Sequence, residues 1–250
     1  MKNILQDDAN PLRRIVDLIP SGSVVLDIGT GSGILAQLLA YQGKVITIDG
    51  IEPNHHAGKI AKSHYRDFYV GIVQDFINEI RFNQYDFVVL ADVLEHMPDP
   101  DLFLKDLYKH TSPACKILAT IPNVAFGALR LSLLRGRFKY TSSGLVERTH
   151  LRFFTASSVE QLFSQAKWHI SILNRLERSI FSSEIPLRTG LLEIIALPYL
   201  LRDPLARTYQ FLVVVEKKQS KIKQAAFTNF TRTQLLKDFI KYLLRKFSNG

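Results

Sequence analysis

The residues that most constrain the chemistry lie together at positions 25–33, VLDIGTGSG. Gly29, Gly31 and Gly33 mark a turn that leaves an apolar β-type run and opens a helix near Ile34. Residues without a Cβ let such a turn close tightly and let backbone N–H groups approach a ligand. Asp27 adds a carboxyl just ahead of the glycines. The spacing departs from the dinucleotide fingerprint Gly-x-Gly-x-x-Gly, because Ile34 stands where its third glycine belongs. Other chemistries find less support. Cys115 is the one cysteine, which excludes an internal disulfide framework and a multi-cysteine metal site. His55 and His56 are adjacent and point in different directions on a helix, so no metal site is expected. Ser32, Cys115, Ser142 and Ser143 have no neighbouring pattern that would activate a nucleophile.

A glycine turn does chemistry only if a strand and a helix hold it. Apolar β-type runs occur at 24–28, at 44–48 with an extension to 51, and at 68–73, 86–91, 116–121, 168–176 and 209–216. Helical patterns alternate with them: one after the Asn10-Pro11 start signal, one opening near Ile34, then 54–64, 76–80, 102–110, 124–134 and 157–166. The alternation predicts βαβ units and a mainly parallel sheet. Segment 177–208 does not fit it and reads as an insertion before the last strand. The domain is expected over 1–216, followed by a polar basic linker at 217–230 and a final helix. With 250 residues and 46% apolar content, the chain can bury one sizeable core.

Loop, strands and five further stretches together resemble the class I S-adenosylmethionine-dependent methyltransferases. The nearest subgroup is the small-molecule enzymes that include the quinone-biosynthesis O-methyltransferases. The resemblance runs over residues 20–176 plus the last strand. It implies an α/β Rossmann-like fold: a mainly parallel seven-stranded sheet with helices on both faces and an antiparallel last strand. DIGTGSG matches the first cofactor motif, which implies that Asp27, Gly29, Gly31 and Gly33 bind S-adenosylmethionine. GIEPN, residues 50–54, matches the end of the second strand, where an acid holds the ribose hydroxyls. Glu52 is the first choice for that role and Asp49 its rival; a carboxylate suits it because it accepts two hydrogen bonds from a diol. Asp75, after strand three, falls where the family's adenine-amino acceptor sits, and equally where a cap for a helix from Phe76 would sit. YDFVVLADVLEHMPDP, residues 85–100, resembles strand four and its loop, placing Ala91, Asp92 and the Leu94-Glu95-His96 triplet at the carboxyl edge of the sheet. KILATIPNV, residues 116–124, resembles strand five, and THLRFFT, residues 149–155, the element that precedes the next helix, with Thr155 as its cap.

The methyl donor already carries a sulfonium leaving group, so such a site has to align the acceptor and exclude water. A hydroxyl acceptor also needs a base, for which His150 is the leading candidate; a structural role bonding a backbone carbonyl is the alternative. His96 is the second catalytic candidate or a cofactor-pocket residue. Residues 124–150, with Phe126, Leu129, Leu133, Arg135 and Arg137, and segment 177–208 are expected to shape the acceptor pocket. The competing functions are a cofactor-fold binding or scaffold protein without catalysis and, less well matched, an NAD-dependent oxidoreductase.

Of the net charge of +9, residues 217–250 contribute eight, so the body is nearly neutral and a whole-domain grip on a phosphate backbone is not expected. Strand four also lacks the Asn/Asp-Pro-Pro-aromatic tetrad of amino-group methylases, which further opposes a nucleic-acid partner. From Leu235 the apolar residues recur at helical spacing opposite a basic face, and Thr231-x-x-Gln234 has the form of a capping box. That helix is expected to meet a membrane surface, the domain itself or a second copy in a homodimer. The first residues lack a signal-peptide pattern and the longest apolar stretch is too short to span a bilayer, so a cytoplasmic location, peripheral at the membrane, is expected.

Overall fold

The computed structural model describes residues 2–7, 10–187, 190–218 and 237. The linker and final helix expected from the sequence therefore lie almost wholly outside the described residues, as do the membrane and dimer expectations that rest on them. Seven strands form one sheet: β1 (Val24–Ile28), β2 (Thr47–Glu52), β3 (Phe68–Val70), β4 (Phe87–Ala91), β5 (Lys116–Pro122), β6 (His169–Glu177) and β7 (Thr208–Glu216), in the spatial order β3-β2-β1-β4-β5-β7-β6. Neighbours from β3 to β5 pair in parallel, and β7 alone runs antiparallel to its neighbours β5 and β6. The helices are α1 (Lys2–Gln6), α2 (Pro11–Leu18), α3 (Ile34–Tyr41), α4 (His55–Ala61), α5 (Pro100–His110), α6 (Gly127–Leu134), α7 (Ala156–Gln165) and α8 (Leu191–Arg202).

Strands buried on both faces must be apolar on both, and the central strands are. Leu26, Val88 and Ile117 face α5 and α7, where they meet Phe103, Leu107, Val159 and Phe163. Val25, Val89 and Leu118 face α2 and α3, against Ile15, Val16 and Leu38. Helix starts follow capping chemistry: Asn10 Oδ1 accepts from the Leu12 N–H at 3.0 Å, Asp99 Oδ1 from Leu102 at 2.9 Å, and Thr155 caps α7 reciprocally with Ser158.

Three expected elements change. β2 begins at Thr47, because 44–46 is engaged elsewhere: Val45 N–H bonds Ser21 Oγ at 2.9 Å and Lys44 Nζ closes the carbonyl end of α2 on Ile19 O at 2.6 Å. β3 stops at Val70, since Gly71 turns the chain away with φ of 151°. Residues 76–80 form no α-helix; a single 3₁₀ turn covers Val73–Phe76, with Asp75 inside it and Ile72 at the capping position. The expected insertion is ordered by α8 and by a small core of its own, in which Phe126, Leu129 and Leu145 pack on Ile180, Ile185 and Leu197. Glu184 pins that unit, accepting from the Leu145 N–H at 2.9 Å and the Tyr209 hydroxyl at 2.8 Å.

Candidate active site

Four strand ends converge at the carboxyl edge of the sheet: β1 with its glycine loop, β2 ending in Glu52, β4 ending in Ala91, and β5. Gly29, Gly31 and Gly33 all have positive φ, of 77°, 54° and 81°, a region that residues with a Cβ occupy at a cost. Two of the three also need glycine for space. A Cβ at Gly29 would meet Val93 Cγ2 at 2.7 Å, and one at Gly33 would meet Ala61 Cα at 3.2 Å. At Gly31 a Cβ would meet nothing within 4 Å, so this part of the loop fronts open space with its backbone.

Glu52 locks that loop. Its Oε2 accepts from the Gly31 N–H at 2.7 Å and its Oε1 from the Asn54 N–H at 2.8 Å, while the Gly29 and Thr30 N–H groups bond Ile51 O at 2.8 and 3.1 Å. Asp27 lies beneath, 2% exposed, accepting from the Tyr65 hydroxyl at 2.7 Å. Burial pushes its pKa up to about 7, against the opposing pull of that hydrogen bond, with the nearby Glu52 carboxylate adding to the rise.

Asp49 stands apart. Successive side chains of a strand alternate in direction, so residues three apart point to opposite faces. Asp49 is buried in a structural cluster, taking Arg66 Nε at 2.9 Å, the Tyr85 hydroxyl at 2.8 Å and the Asp67 N–H at 3.1 Å. Its acceptor capacity is used within that cluster, on the face opposite Glu52. Asp75 is exposed on its turn.

Beyond β4 the backbone is strained: Asp92 has φ of 56°, which is uncommon for a residue with a side chain. The residue as a whole is exposed, but its carboxyl turns inward, where Oδ1 accepts from Thr120 Oγ1 at 2.9 Å and from Gln210 Nε2. Three residues on, Glu95 is 1% exposed and neither carboxyl oxygen has a hydrogen-bond partner. Burial raises the pKa of both acids, and for Glu95 the neighbouring Asp92 raises it further. A buried, unpartnered acid favours its neutral form.

The two histidines meet here. The rings of His96 and His150 are 4.8 Å apart and nearly perpendicular. His150 is buried, with Nδ1 at 3.2 Å from the Leu145 carbonyl. A carbonyl only accepts, so Nδ1 carries the proton in the neutral ring and Nε2 keeps its lone pair. Burial, and then the neighbouring His96, lower the His150 pKa, so the ring is neutral at physiological pH. His96 makes the same kind of contact, Nδ1 to Thr149 O at 3.1 Å. Glu95, His96 and His150 also each offer one ligand atom, all within 4.8 Å of one another, and could hold a metal ion through the lone pairs a base would use. The fold assembles this group from two distant segments, which spacing along the chain does not reveal.

The methyltransferase domain family matches residues 6–170, about two thirds of the sequence. The chain belongs to that family. This methyltransferase domain is of the class I, S-adenosylmethionine-dependent kind expected from DIGTGSG and the strand-four motif. It is 31% identical over 127 residues to the ubiquinone biosynthesis O-methyltransferase of Pseudomonas savastanoi pv. phaseolicola, a match covering 46% of this chain and 53% of that protein. The chain thus spans about half the length of the curated relatives it matches. Among solved structures, an S-adenosylmethionine-dependent methyltransferase from Archaeoglobus fulgidus superposes with a TM-score of 0.60 at 16% identity, over 84% of this chain and 92% of that one. One from Thermotoga maritima gives 0.58 at 16% identity, over 86% and 92%. At such identity the likeness shows the fold.

On the acceptor side of the domain, Phe126 and Leu129 are buried in the insertion's core, whereas Leu133 is 46% exposed and Arg137 is exposed. Sequence reasoning also passed over Tyr65, Thr120, Gln210 and the Leu145 carbonyl, which hold the site from behind. None of them has a sequence signal, because each acts through a long-range contact.

Proposed function

We propose that this domain transfers a methyl group from S-adenosylmethionine to an oxygen of a small-molecule acceptor. Bound, the cofactor supplies a methyl on a positively charged sulfur that needs no further activation. The chain's own residues do the rest. Gly29, Gly31 and Gly33 give the ligand a Cβ-free wall, and Glu52 offers its carboxylate to the ribose hydroxyls; it already binds N–H donors at the same edge, so its oxygens are oriented. Ala91 and Asp92 continue that wall from β4. Asp27 supports the loop from below, and Asp75 stands near the adenine end.

The observation that carries the acceptor chemistry is the tether of His150, whose Nδ1 lies 3.2 Å from the Leu145 carbonyl. A neutral ring, tethered through Nδ1 and free at Nε2, can take the proton that a hydroxyl must lose as its oxygen is methylated. The tether comes from Leu145, on the insertion-side core, so the segment expected to contact the acceptor also aims the base. His96 packs against it and completes the polar wall. Isothermal titration tests the cofactor half of this reading. S-adenosylhomocysteine is expected to bind one per chain and NAD not at all; NAD binding without S-adenosylhomocysteine binding would overturn it.

A further inference from the structure

Beside the histidines the surface opens into a hollow of about 410 Å³ lined by Phe138, Lys139, Tyr140 and Arg148. Its walls are half aromatic and half cationic. Phe138 and Tyr140 meet edge to face at 5.3 Å, 39% and 47% exposed, so both present ring surface to a ligand. Lys139 and Arg148 are exposed, and among the described residues neither makes an ion pair. Elsewhere on this chain exposed arginines do find acids, as Arg66 does with Asp67 at 3.4 Å and Arg178 with Glu184 at 3.7 Å. Two exposed cations on one small rim, neither within ion-pair distance of an acid, offer a site for an anion, and the neighbouring Glu147 carboxylate is held instead by the Thr149 hydroxyl.

Ring contacts link the hollow to the proposed reaction centre. Phe138 contacts Phe153 edge to face at 5.6 Å, and Phe153 contacts His150 at 6.4 Å. Arg148 lies two residues before His150, and its N–H bonds Thr141 O at 3.1 Å, which ties both sides of the rim together. Ring contacts thus lead from His150 through Phe153 to Phe138 on the rim.

We infer that the acceptor is an aromatic molecule carrying an anionic group, carboxylate or phosphate, which docks between Lys139 and Arg148 while its ring lies against Phe138 and Phe153. This rests on the reading of the domain as a methyltransferase and names the class of its substrate. Arg148 supplies the fork that a carboxylate or phosphate accepts through two oxygens, and Lys139 adds a point charge. The site is then a specificity device: a neutral acceptor of the same shape leaves both cations solvated and gains only ring contact.

The test is titration of the full chain, loaded with S-adenosylhomocysteine, with 4-hydroxybenzoate, phenyl phosphate and the neutral 4-hydroxybenzyl alcohol. At least one anionic probe is expected to bind tenfold or more tighter than the alcohol, and the stronger of the two tells which anion the acceptor carries. Arg148→Gln and Lys139→Gln are each expected to remove most of that preference while changing the S-adenosylhomocysteine Kd less than twofold. Both side chains are exposed, so folding does not depend on them, and Arg148→Lys is expected to recover part of the preference. Equal affinity for all three probes, no binding of any, or a preference untouched by both variants would overturn the inference; the last result would place the anion on another basic surface, such as 217–250. The parallel S-adenosylhomocysteine titration reports separately on the parent reading, because loss of cofactor binding in the unaltered chain would fail that reading and not the subsite.

Discussion

At the scale of single residues, two carboxylates three positions apart bond different partners, and they are expected to respond differently to loss of their charge. Glu52→Gln keeps the shape but replaces one of two acceptor oxygens with an amino donor; for a charged partner the loss is about 1.5–3 kcal/mol, seen as a rise of roughly ten- to hundredfold in the S-adenosylhomocysteine Kd. Asp49→Asn instead undoes the buried cluster with Arg66 and Tyr85 and is expected to lower the melting temperature while leaving that Kd unchanged. Reversed results would move the ribose role to Asp49. His150→Ala is expected to reduce kcat by about 10²–10⁴-fold with cofactor affinity intact. Because the His150 pKa is lowered, the basic form persists below pH 6.5, so kcat should hold through that value and fall only at more acidic pH. A loss under tenfold, or an acid limb centred above pH 6.5, would reduce His150 to a structural role.

At the scale of elements, the glycine loop separates conformational from steric demands. Gly31→Ala meets only the left-handed backbone penalty, about 1–2 kcal/mol. Gly29→Ala adds a contact with Val93 Cγ2 at 2.7 Å, so it is expected to cost clearly more in urea unfolding, and Val93→Ala in the same chain is expected to return part of the difference. Equal costs for the two glycines would contradict the close approach of β1 and β4. Much of this level was legible beforehand. The strand–glycine–helix order, the Asn10-Pro11 and Thr155 starts and the burial of β4 all follow from local patterns. What was not legible depended on distant partners. Strand two was misplaced because 44–46 is drawn to α2 and the turn at Ser21, and the parity that separates Asp49 from Glu52 holds only because the strand runs through Glu52. The helix expected at 76–80 has the right spacing but follows Gly71, whose turn leaves room for a single 3₁₀ turn.

At the scale of the whole molecule, the insertion-side core binds the acceptor half to the cofactor half. Leu145 and Glu184, brought together only in three dimensions, orient His150, whose tautomer and contact with His96 were therefore not legible in the sequence. The buried Asp27 makes folding respond to pH. Its folded-state pKa lies above the usual carboxylate value, so between about 4 and about 7 the native state holds a proton that the unfolded chain has released. Stability from this group is complete at the acidic end and is lost as pH rises through 7, and Asp92 and Glu95, raised likewise by burial, act in the same direction; melting temperatures from pH 5 to 8 should decline, and Asp27→Asn should lessen the decline. The last strand ends at Glu216, so a chain ending at Lys218 keeps the sheet whole; an anchoring tail predicts that this chain keeps its melting temperature and loses co-sedimentation with anionic liposomes, whereas a truncation that aggregates or unfolds would favour packing on the domain. Equal recovery of both forms would rule out an anchoring role for 219–250. The central claim is methyl transfer to a small molecule, and incubation with S-adenosylmethionine bearing a trideuterated methyl group and an extract of the host cell tests it most directly. The account predicts a labelled small molecule with the methyl on oxygen, absent when His150→Ala replaces the native chain; label confined to protein or nucleic acid, or no transfer by a chain that binds S-adenosylhomocysteine, would contradict it.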